Sequence, residues 1–423
     1  MTATVTVTAI GSGGDGLADD GGERLYIPHG APGDRLVVER EGKAGDGWRA
    51  RIVEHLADGP DRVPPACRHF GDCGGCSLQH VSAAAYQAWK RDRVVEALAR
   101  QGIDTACIAP LVPAAPGDRR RLRLAVRPMG VRLLLGFNAA ASHRIVEVTE
   151  CPVAAPALAT LLPRLRTALA PVWPRRKDGD IALTLTEGGV DLLLVVPGEF
   201  TGAARTALAR LAEELDLARL SIAPDDRTLA EPIAIRRPPA VRFGPAAVVP
   251  PPGGFLQAGL AAERTLAGLV AEAIPAGAVV GDLHAGCGTF ALAVASRARR
   301  VRAFDRDGPA LDALLAGARA AGLGAKVAVE RRDLDRRPLT TRDMRDWTAA
   351  ILDPPRAGAA AQAATLAGAA VPIVVYVSCN PATFARDAAV LASGGLRPQR
   401  ITPVDQFLWS PHVELVAVFR RSA

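Results

Sequence analysis

Two hydrophobic patterns divide the chain, and the first belongs to its N-terminal part. Residues 1–57 contain short runs in which apolar and polar residues alternate, such as 4–8, separated by glycine-rich turns such as 11–16. Alternation at period two is typical of β-strands. Short strands joined by such turns favour a small barrel of the OB type. We therefore predict an N-terminal β-barrel over residues 1–57.

The middle of the chain mixes loop, helix and strand patterns. Residues 58–80 are rich in Pro, Gly and Cys, which predicts a loop. Residues 82–101 have apolar residues at helical spacing, and Lys90 is one of the basic residues between them. Strand-like runs and a helix-like run at 153–170 follow. We predict a central α+β domain over residues 58–248.

Strand and helix patterns alternate in the last part of the chain. This order predicts a parallel sheet covered by helices on both faces, with ligands bound at the carboxyl ends of its strands. We therefore predict a Rossmann-like α/β domain over residues 249–423, which makes the fold class multidomain. The predicted strands are 279–283, 301–305, 326–330, 349–353 and 373–377.

Composition narrows the compartment and the kind of partner. The 423-residue chain carries a net charge of +7, which suits a polyanionic partner without demonstrating one. Neither a signal sequence nor an apolar run long enough to span a bilayer is visible. We expect a cytoplasmic monomer, in which the seven cysteines stay reduced. The run of arginines from Arg119 to Arg132, which includes Arg121, is a candidate phosphate-binding patch.

A candidate cofactor site follows the first strand of the α/β pattern. Gly286 and Gly288 stand between this strand and a helix, where glycines let the backbone approach a ligand closely, and Asp282 precedes them. Asp305 ends the next strand and could accept hydrogen bonds from ribose hydroxyls, and Asp333 could bind an adenine amine. The three-glycine dinucleotide fingerprint is absent, which disfavours NAD. The layout resembles the S-adenosylmethionine site of class I methyltransferases.

A candidate reaction centre occupies the ends of later strands. Cys379 ends one strand and precedes Asn-Pro, and Asp353 begins an Asp-Pro-Pro-Arg sequence at the end of another. Methylation of a ring carbon requires a thiol at such a position. Uracil C5, for example, is too weak a nucleophile to take a methyl group unaided. A thiolate that adds to C6 makes an enolate at C5, which is covalent catalysis. Glu414 is the candidate base that removes the C5 proton.

These motifs, in their order along the chain, resemble those of the RNA uracil-5-methyltransferase family. The matching strings are Asp-Pro-Pro-Arg, Ser-Cys-Asn-Pro-Ala-Thr, Pro-His-Val-Glu and Phe-Leu-Gln. The resemblance implies that Cys379 is the nucleophile and Glu414 the base. It also implies that Gln257 and Asp353 recognise uracil close to the cofactor, with Phe255 near the base. The uracil must then be single-stranded or flipped out of a helix.

Four further cysteines have spacing typical of a metal site. Cys67, Cys73 and Cys76 lie in one loop, and Cys151 is a plausible distant fourth ligand, ahead of Cys107. Four thiolates can hold zinc or an iron–sulfur cluster, and spacing alone leaves both open. The loop resembles the [4Fe–4S] loop of the family's 23S rRNA branch. Residues 1–57 resemble the TRAM domain, an RNA-binding barrel found on RNA-modifying enzymes. The tRNA branch typically lacks this barrel and the cysteine loop, so the resemblance implies 23S rRNA as substrate.

Other functions fit the sequence less well. A tRNA uracil-5-methyltransferase would use the same chemistry on another RNA. RNA cytosine-5-methyltransferases usually carry a second cysteine after an Asp-x-Pro strand end, where this chain has Arg356. An amino-methyltransferase would need neither Cys379 nor Glu414. A non-catalytic RNA-binding protein would have no reason to keep every expected catalytic group.

Overall fold

Three large sheets organise the protein, and the computed structural model describes residues 2–422. A six-stranded sheet comes first, a seven-stranded sheet follows, and a second seven-stranded sheet ends the chain. A two-stranded hairpin precedes the last sheet. Within residues 2–422, no helix combines the length and the apolar character that crossing a membrane would require.

The N-terminal sheet has strands of alternating burial, as the sequence predicts, but two of them are ten and eleven residues long and not short. Its strands are β1 (Thr2–Thr6), β2 (Ala9–Ile10), β3 (Gly16–Asp20), β4 (Glu23–Ile27), β5 (Arg35–Ala44) and β6 (Gly47–Ala57). They lie in the order β1-β5-β6-β4-β3-β2. In β5, Leu36 and Val38 are buried in the core of this sheet, while Val37 between them is partly exposed.

Helix α1 (Ala83–Ala99) follows the cysteine-rich loop. The Ser82 hydroxyl accepts a hydrogen bond from the Ala85 amide and caps the helix. The buried residues, Tyr86, Lys90, Val94 and Leu98, recur every four positions and form one stripe. The sequence interpretation, which set Lys90 among the polar residues, was wrong, because Lys90 is fully buried and forms an ion pair with Asp405.

The central sheet is mainly antiparallel and is covered by helices. Its strand order is β13-β12-β11-β10-β7-β8-β9. Leucines of the helices pack against the strands in one core. The strands are β7 (Arg121–Met129), β8 (Arg132–Asn138), β9 (Ile145–Glu147), β10 (Gly179–Thr186), β11 (Gly189–Val195), β12 (Arg219–Ala223) and β13 (Glu231–Ile235), and the helices are α2 (Pro156–Ala159), α3 (Leu161–Leu169) and α4 (Gly202–Glu214).

The helix predicted over residues 153–170 is broken into α2 and α3. Pro163 is the third residue of α3, where a missing N–H costs nothing because it would have no intrahelical partner. The same residue in the interior of one long helix would remove a hydrogen bond. The Thr160 hydroxyl, at the break, donates to the Pro156 carbonyl. The proline therefore sets a helix start that the apolar pattern did not reveal.

The C-terminal part of the chain alternates strand and helix as predicted. A hairpin of β14 (Val241–Phe243) and β15 (Ala246–Val248) and helix α5 (Leu260–Ala273) precede the sheet. Its strands are β16 (Val279–Leu283), β17 (Arg300–Asp305), β18 (Val327–Arg331), β19 (Ala349–Leu352), β20 (Ile373–Ser378), β21 (Leu396–Val404) and β22 (Glu414–Arg421). The other helices are α6 (Thr289–Ala295), α7 (Gly308–Ala320), a 3₁₀ turn (Thr341–Met344), α8 (Ala360–Gly368) and α9 (Pro381–Ser393).

The topology of this sheet determines where a ligand can bind. The strand order is β18-β17-β16-β19-β20-β22-β21, and β22 alone runs antiparallel to its two neighbours. Separate apolar cores cover the two faces, which confirms the predicted doubly covered parallel sheet. The order reverses between β16 and β19, so a crevice opens at their carboxyl ends. This is the strand arrangement of class I methyltransferases.

Candidate active site

The predicted site residues meet at the carboxyl edge of the C-terminal sheet. Asp282 lies near the end of β16, and Asp305 ends the adjacent β17. Asp353 follows β19, and Cys379 follows β20, on the other side of β16. Glu414 begins the antiparallel β22 and so lies at the same edge. Five positions that are distant in sequence therefore border one crevice.

The loop after β16 has a backbone that favours glycine. Gly286 has a φ of 52° and Gly288 a φ of 94°, both in the left-handed region. A Cβ at Gly288 would lie 2.6 Å from Cγ of Leu314, so this glycine lets α7 pack closely. A Cβ at Gly286 would meet no atom within 4 Å, which leaves open space beside the loop. The loop can therefore receive a ligand against its backbone.

Two carboxylates flank this loop in different ways. Asp282 is completely buried, and within residues 2–422 neither of its carboxyl oxygens has a hydrogen-bond partner. Its burial raises the pKa of Asp282 well above the usual range, and Asp353 adds to the effect. Asp305 accepts hydrogen bonds from the amides of Gly286 and Asp307, both at 2.9 Å. An unpaired buried carboxyl group suits a ligand that supplies donors.

Asp333 sits beyond β18 and is partly engaged by its own turn. Its Oδ1 accepts hydrogen bonds from the amides of Asp335 and Arg336, both at 3.1 Å. The side chain stays partly exposed. Its predicted contact with an adenine amine would therefore fall to the other carboxyl oxygen.

Cys379 is tied to the Asp-Pro-Pro-Arg loop by its neighbours. The Asn380 side chain caps α9 by accepting from the Ala382 amide, and it donates to the Arg356 carbonyl at 3.0 Å. The Thr383 hydroxyl donates to the same carbonyl at 3.2 Å. The Asn-Pro-Ala-Thr sequence thus joins the loop after β19 to the loop after β20. This contact holds Cys379 beside Asp353.

The thiol of Cys379 lies in a negative environment. Burial, Glu414 and Asp353 together raise the pKa of Cys379 to about 11, while Arg356 acts in the opposite direction. Burial of the carboxyl group also raises the pKa of Asp353 to about 7. The residue as a whole keeps some exposed surface. Proton transfers among these groups are therefore needed before the thiol can act as a thiolate.

A chain of hydrogen bonds links the two carboxylates of the reaction centre. Gln406 Nε2 donates to Glu414 Oε2 at 3.0 Å and to Gln257 Oε1 at 2.9 Å. Gln257 Nε2 in turn donates to Asp353 Oδ2 at 3.1 Å. Glu414, Gln406 and Gln257 are all buried. Burial raises the pKa of Glu414 well above its usual range, against the opposing effect of Gln406.

Gln406 was missed by the sequence interpretation. It stands in the loop between β21 and β22, eight positions before Glu414, and no motif that we used includes it. A polar pair, Asp405-Gln406, at the end of an apolar strand was the available signal. Because β21 and β22 are antiparallel, residues just after the end of β21 lie at the same sheet edge as Glu414, the first residue of β22. Gln406 could therefore have been predicted to lie near Glu414.

A buried ion pair anchors the loop that carries Gln406. The Lys90 ammonium pairs with Asp405 and donates to the Phe407 carbonyl at 2.9 Å. The Tyr86 hydroxyl donates to the other Asp405 oxygen at 2.8 Å. Both members of the ion pair are fully buried. Burial lowers the pKa of Lys90 to about 8, although Asp405 opposes the shift.

Replacing Lys90 by Met should destabilise the protein by roughly 3–5 kcal/mol, because it leaves the Asp405 carboxylate buried without its cation. Chemical denaturation would measure the free energy of unfolding. Lys177→Met, at an exposed lysine, is the matched control and should have little effect. The double variant Lys90→Met/Asp405→Leu should recover part of the loss. A single variant as stable as its control would contradict this account of the pair.

Phe255 and Arg121 lie together at the rim of the site. Phe255 is 64% exposed, and the Arg121 guanidinium lies 5.5 Å from the centre of its ring. Arg121 donates to the Leu256 carbonyl at 2.8 Å. Burial lowers the pKa of Arg121 to about 10, and Arg120 and Arg119 add to the shift. Arg121 therefore shapes the segment that carries Phe255 and Gln257.

Several arginines of the run from Arg119 to Arg132 form ion pairs within the protein. Arg120 is buried in an ion pair with Glu263. Arg123 pairs with Asp180 and Asp226, both at 2.8 Å, and Arg127 pairs with Asp178 at 2.9 Å. Fewer cations of the run are unpaired than its sequence suggests, and its role in binding phosphate stays a prediction. Carboxylates more than fifty positions away neutralise these arginines, and their positions were not readable from the run itself.

The structure brings the four predicted metal-site cysteines around one cavity. Cys67, Cys73, Cys76 and Cys151 all line a cavity of about 190 Å³. Four thiols around one space are the ligand set that zinc ions and iron–sulfur clusters share.

The loop that carries Cys76 also contacts the loop that carries Gln406. The amides of Ser77 and Leu78 donate to the Trp409 carbonyl at 2.9 and 3.1 Å. The Trp409 amide donates to the Tyr86 hydroxyl at 2.8 Å. The cysteine cavity and the reaction centre are thus joined through one short loop.

Known proteins resemble this chain over almost its whole length. An RNA methyltransferase of Brucella suis is 44% identical over 420 residues, which cover 99% of this chain and 98% of the relative. The 23S rRNA (uracil(1939)-C(5))-methyltransferase RlmD of Halomonas elongata is 35% identical, over 97% of this chain and 88% of the relative. The family described as tRNA (uracil-5-)-methyltransferase matches residues 275–422.

This chain belongs to the RNA uracil-5-methyltransferase family. A solved structure agrees on the fold of the enzyme. The Pyrococcus abyssi tRNA (uracil-54, C5)-methyltransferase, determined with S-adenosyl-L-homocysteine, superposes with a TM-score of 0.77 at 22% identity, covering 99% of this chain and 100% of that one. The predicted class of enzyme, an S-adenosylmethionine-dependent RNA uracil-5-methyltransferase, is confirmed.

Proposed function

We propose that this methyltransferase forms 5-methyluridine in 23S rRNA through a covalent bond between Cys379 and uracil C6. The observation that carries the proposal is the meeting of Cys379 and Glu414 at one sheet edge, together with the hydrogen-bond chain from Glu414 to Asp353. Cys379 would provide the nucleophile that begins the reaction, and Glu414 the base that removes the proton at its end. The chain provides polar groups that a uracil ring can meet.

The chemistry divides one difficult substitution into easier steps. The Cys379 sulfur forms a bond to C6, and the electron pair of the C5–C6 double bond makes C5 nucleophilic. Bound S-adenosylmethionine supplies the methyl group that C5 takes up. Glu414 then removes the C5 proton, the double bond forms again, and the bond from C6 to sulfur breaks. The uracil regains its ring system, and Cys379 is free for another cycle.

Uracil recognition falls to the buried amide and carboxyl groups beside Cys379. Gln257 and Asp353 can present donors and acceptors to the polar edge of the base, and Phe255 offers an exposed ring for stacking. The target must leave its stack to reach Cys379. Arg121 holds the Phe255 segment and adds a cation at the rim.

The methyl donor would lie on the other side of the crevice. Gly286 and Gly288 would allow its close approach to the loop, and the unpaired carboxyl group of Asp282 would take up a donor from it. Asp305 would meet the ribose hydroxyls and Asp333 the adenine amine. Asp353 and Gln257 would lie between the donor and the uracil.

One feature supports 23S rRNA over tRNA. The RlmD relative acts on 23S rRNA by its name, and this chain aligns with it over 97% of its length. The N-terminal sheet, which we propose to be a TRAM-type barrel, and the cysteine-lined cavity do not separate the two substrates, because the tRNA enzyme of Pyrococcus abyssi superposes over 99% of this chain. A comparison of nucleosides by mass spectrometry in cells with and without the protein would test the substrate. We expect 5-methyluridine to disappear from one 23S fragment, whereas loss from tRNA alone would refute the rRNA assignment.

We propose that the four cysteines hold a [4Fe–4S] cluster. Their side chains line one cavity, which places four thiols around a common space. Thiolates are the ligands that such clusters use. We propose that the cluster shapes the RNA-binding surface and the loop around Trp409, and takes no part in electron transfer.

Replacing Cys73 by Ser should remove the cluster and reduce both RNA affinity and turnover. The physical reason is that the cysteine loop donates hydrogen bonds to the Trp409 carbonyl. Loss of order in the cysteine loop would therefore disturb the loop that carries both Trp409 and Gln406. Iron and acid-labile sulfide per chain, RNA binding and methyl transfer would be measured together. Cys107→Ser is the matched control, since Cys107 does not line the cavity. Unchanged folding, affinity and turnover in the Cys73 variant would refute the structural role.

A further inference from the structure

The amide of Gln406 is buried at the junction of two polar groups of the reaction centre. Gln406 is only 7% exposed, and its side chain makes three hydrogen bonds within the protein. Its Oε1 accepts from the Ala258 amide at 2.9 Å, and its Nε2 donates to Gln257 and Glu414. A buried amide with this many partners has a single satisfied orientation.

The backbone fixes the direction of the whole hydrogen-bond chain. The Ala258 amide can only donate, so it must face the oxygen of Gln406, and the Gln406 nitrogen must then face Gln257 and Glu414. Gln257 accepts at its oxygen and therefore turns its own nitrogen toward Asp353. Donation runs in one direction, from Ala258 through two side-chain amides to Asp353. Reversing any one amide would leave facing donors.

We infer that Gln406 is a positioning residue that holds Glu414 for removal of the C5 proton and sets which face Gln257 presents to the base. This inference rests on the proposed function of Glu414 and Gln257. The Gln406 donor occupies Oε2 of Glu414 and leaves Oε1 available to a proton. It also keeps the donor end of Gln257 next to Asp353, so the base meets a fixed arrangement of donors and acceptors.

Two substitutions distinguish the hydrogen bonds that Gln406 donates from the volume that its side chain fills. Gln406→Met keeps the length of the side chain but makes no hydrogen bond. Gln406→Glu keeps the shape, yet when ionised it cannot donate, and it sets a third carboxylate beside Glu414 and near Asp353. We expect turnover to fall on the order of 10²-fold in the Met variant, and in the Glu variant to fall further as the pH rises and the new carboxyl group ionises. A space-filling role predicts that both variants stay close to wild type at every pH.

The decisive measurement is the fraction of enzyme bound covalently to RNA during turnover. The probe is a short single-stranded RNA carrying the target uridine, and complexes are counted on denaturing gels. Proton removal comes after bond formation, so Gln406→Met should accumulate the covalent complex while the KM for RNA changes less than kcat. Gln399→Met, at an exposed position of β21, is the matched control.

The outcomes distinguish this inference from the proposed function. The same RNA with 5-fluorouridine at the target offers no C5 proton, so wild-type enzyme should remain attached to it. Failure of wild type to do so would refute the covalent mechanism itself. Attachment of wild type, combined with a slow Gln406→Met variant that accumulates no complex, would refute the positioning role. Turnover of that variant at the wild-type rate would refute it equally.

Discussion

Replacing Cys379 by Ala should abolish methyl transfer, with a loss on the order of 10⁴- to 10⁶-fold, while binding of RNA and S-adenosylmethionine persists. Without the sulfur, C5 stays a weak nucleophile and the reaction has no covalent intermediate. Transfer of a radioactive methyl group to the target RNA measures turnover. A gel shift measures RNA binding, and calorimetric titration measures binding of S-adenosylmethionine.

The variant should also fold normally, because Cys379 is only partly buried and follows a strand whose core residues are unchanged. Cys287→Ala provides a matched control. That cysteine is buried beside the cofactor loop, and burial raises the pKa of Cys287 to about 12, so it should not act as a nucleophile. A Cys379→Ala enzyme with more than a few per cent of wild-type turnover would contradict the covalent route.

The raised pKa of Cys379 adds a pH dependence to this prediction. With a pKa of about 11, the thiolate is a minor species at neutral pH in the ligand-free enzyme. Formation of the complex with 5-fluorouridine RNA should therefore accelerate as the pH rises. Arg356 is the group that lowers the pKa, so Arg356→Gln should slow adduct formation by the same factor at pH 7 and at pH 9, because both values lie well below the pKa and the thiolate fraction falls equally at both. Slowing at only one of the two values would argue for a different role of Arg356.

Much of the C-terminal fold could be predicted from sequence because its pattern is local. Each strand, such as β20, is a short apolar run bounded by turn residues, and parallel strands bring their carboxyl ends to one edge. The position of Cys379 after β20 and of Asp353 after β19 therefore follows from the chain order. The roles of these residues came from the family's motifs.

The features that escaped prediction are pairings across long sequence separations. Lys90 and Asp405 are 315 positions apart, and Gln406 meets Gln257 across 149 positions. The local sequence around one member of such a pair does not identify the other member. Lys90 was therefore grouped with solvated residues, and Gln406 was overlooked. The same reason explains the arginine run, in which Arg123 and Arg127 are neutralised by carboxylates of other elements. Local periodicity predicts elements, and it does not predict which charges will pair.

Glu414→Gln should reduce turnover by roughly 10²- to 10⁴-fold, the range typical of a lost general base. Attack by Cys379 and methyl transfer precede the step that Glu414 serves, so the variant should accumulate a methylated covalent complex with ordinary uridine RNA. Cys379→Ala should accumulate none. Denaturing gels and mass spectrometry of the trapped complex would show the added methyl group. A slow variant without a trapped complex would move the base to another residue.

Stability provides an internal control for the Glu414 variant. Burial raises the folded-state pKa of Glu414, so the unfolded chain releases this proton at lower pH than the folded one. Ionisation of Glu414 therefore costs stability as the pH rises above the unfolded pKa, and the cost is complete once the pH exceeds the folded pKa. The glutamine side chain of the Glu414→Gln variant carries no such proton, and its oxygen can still accept from Gln406. The variant should thus be at least as stable as wild type at neutral pH, and a large loss of stability would assign Glu414 a structural role in place of a catalytic one.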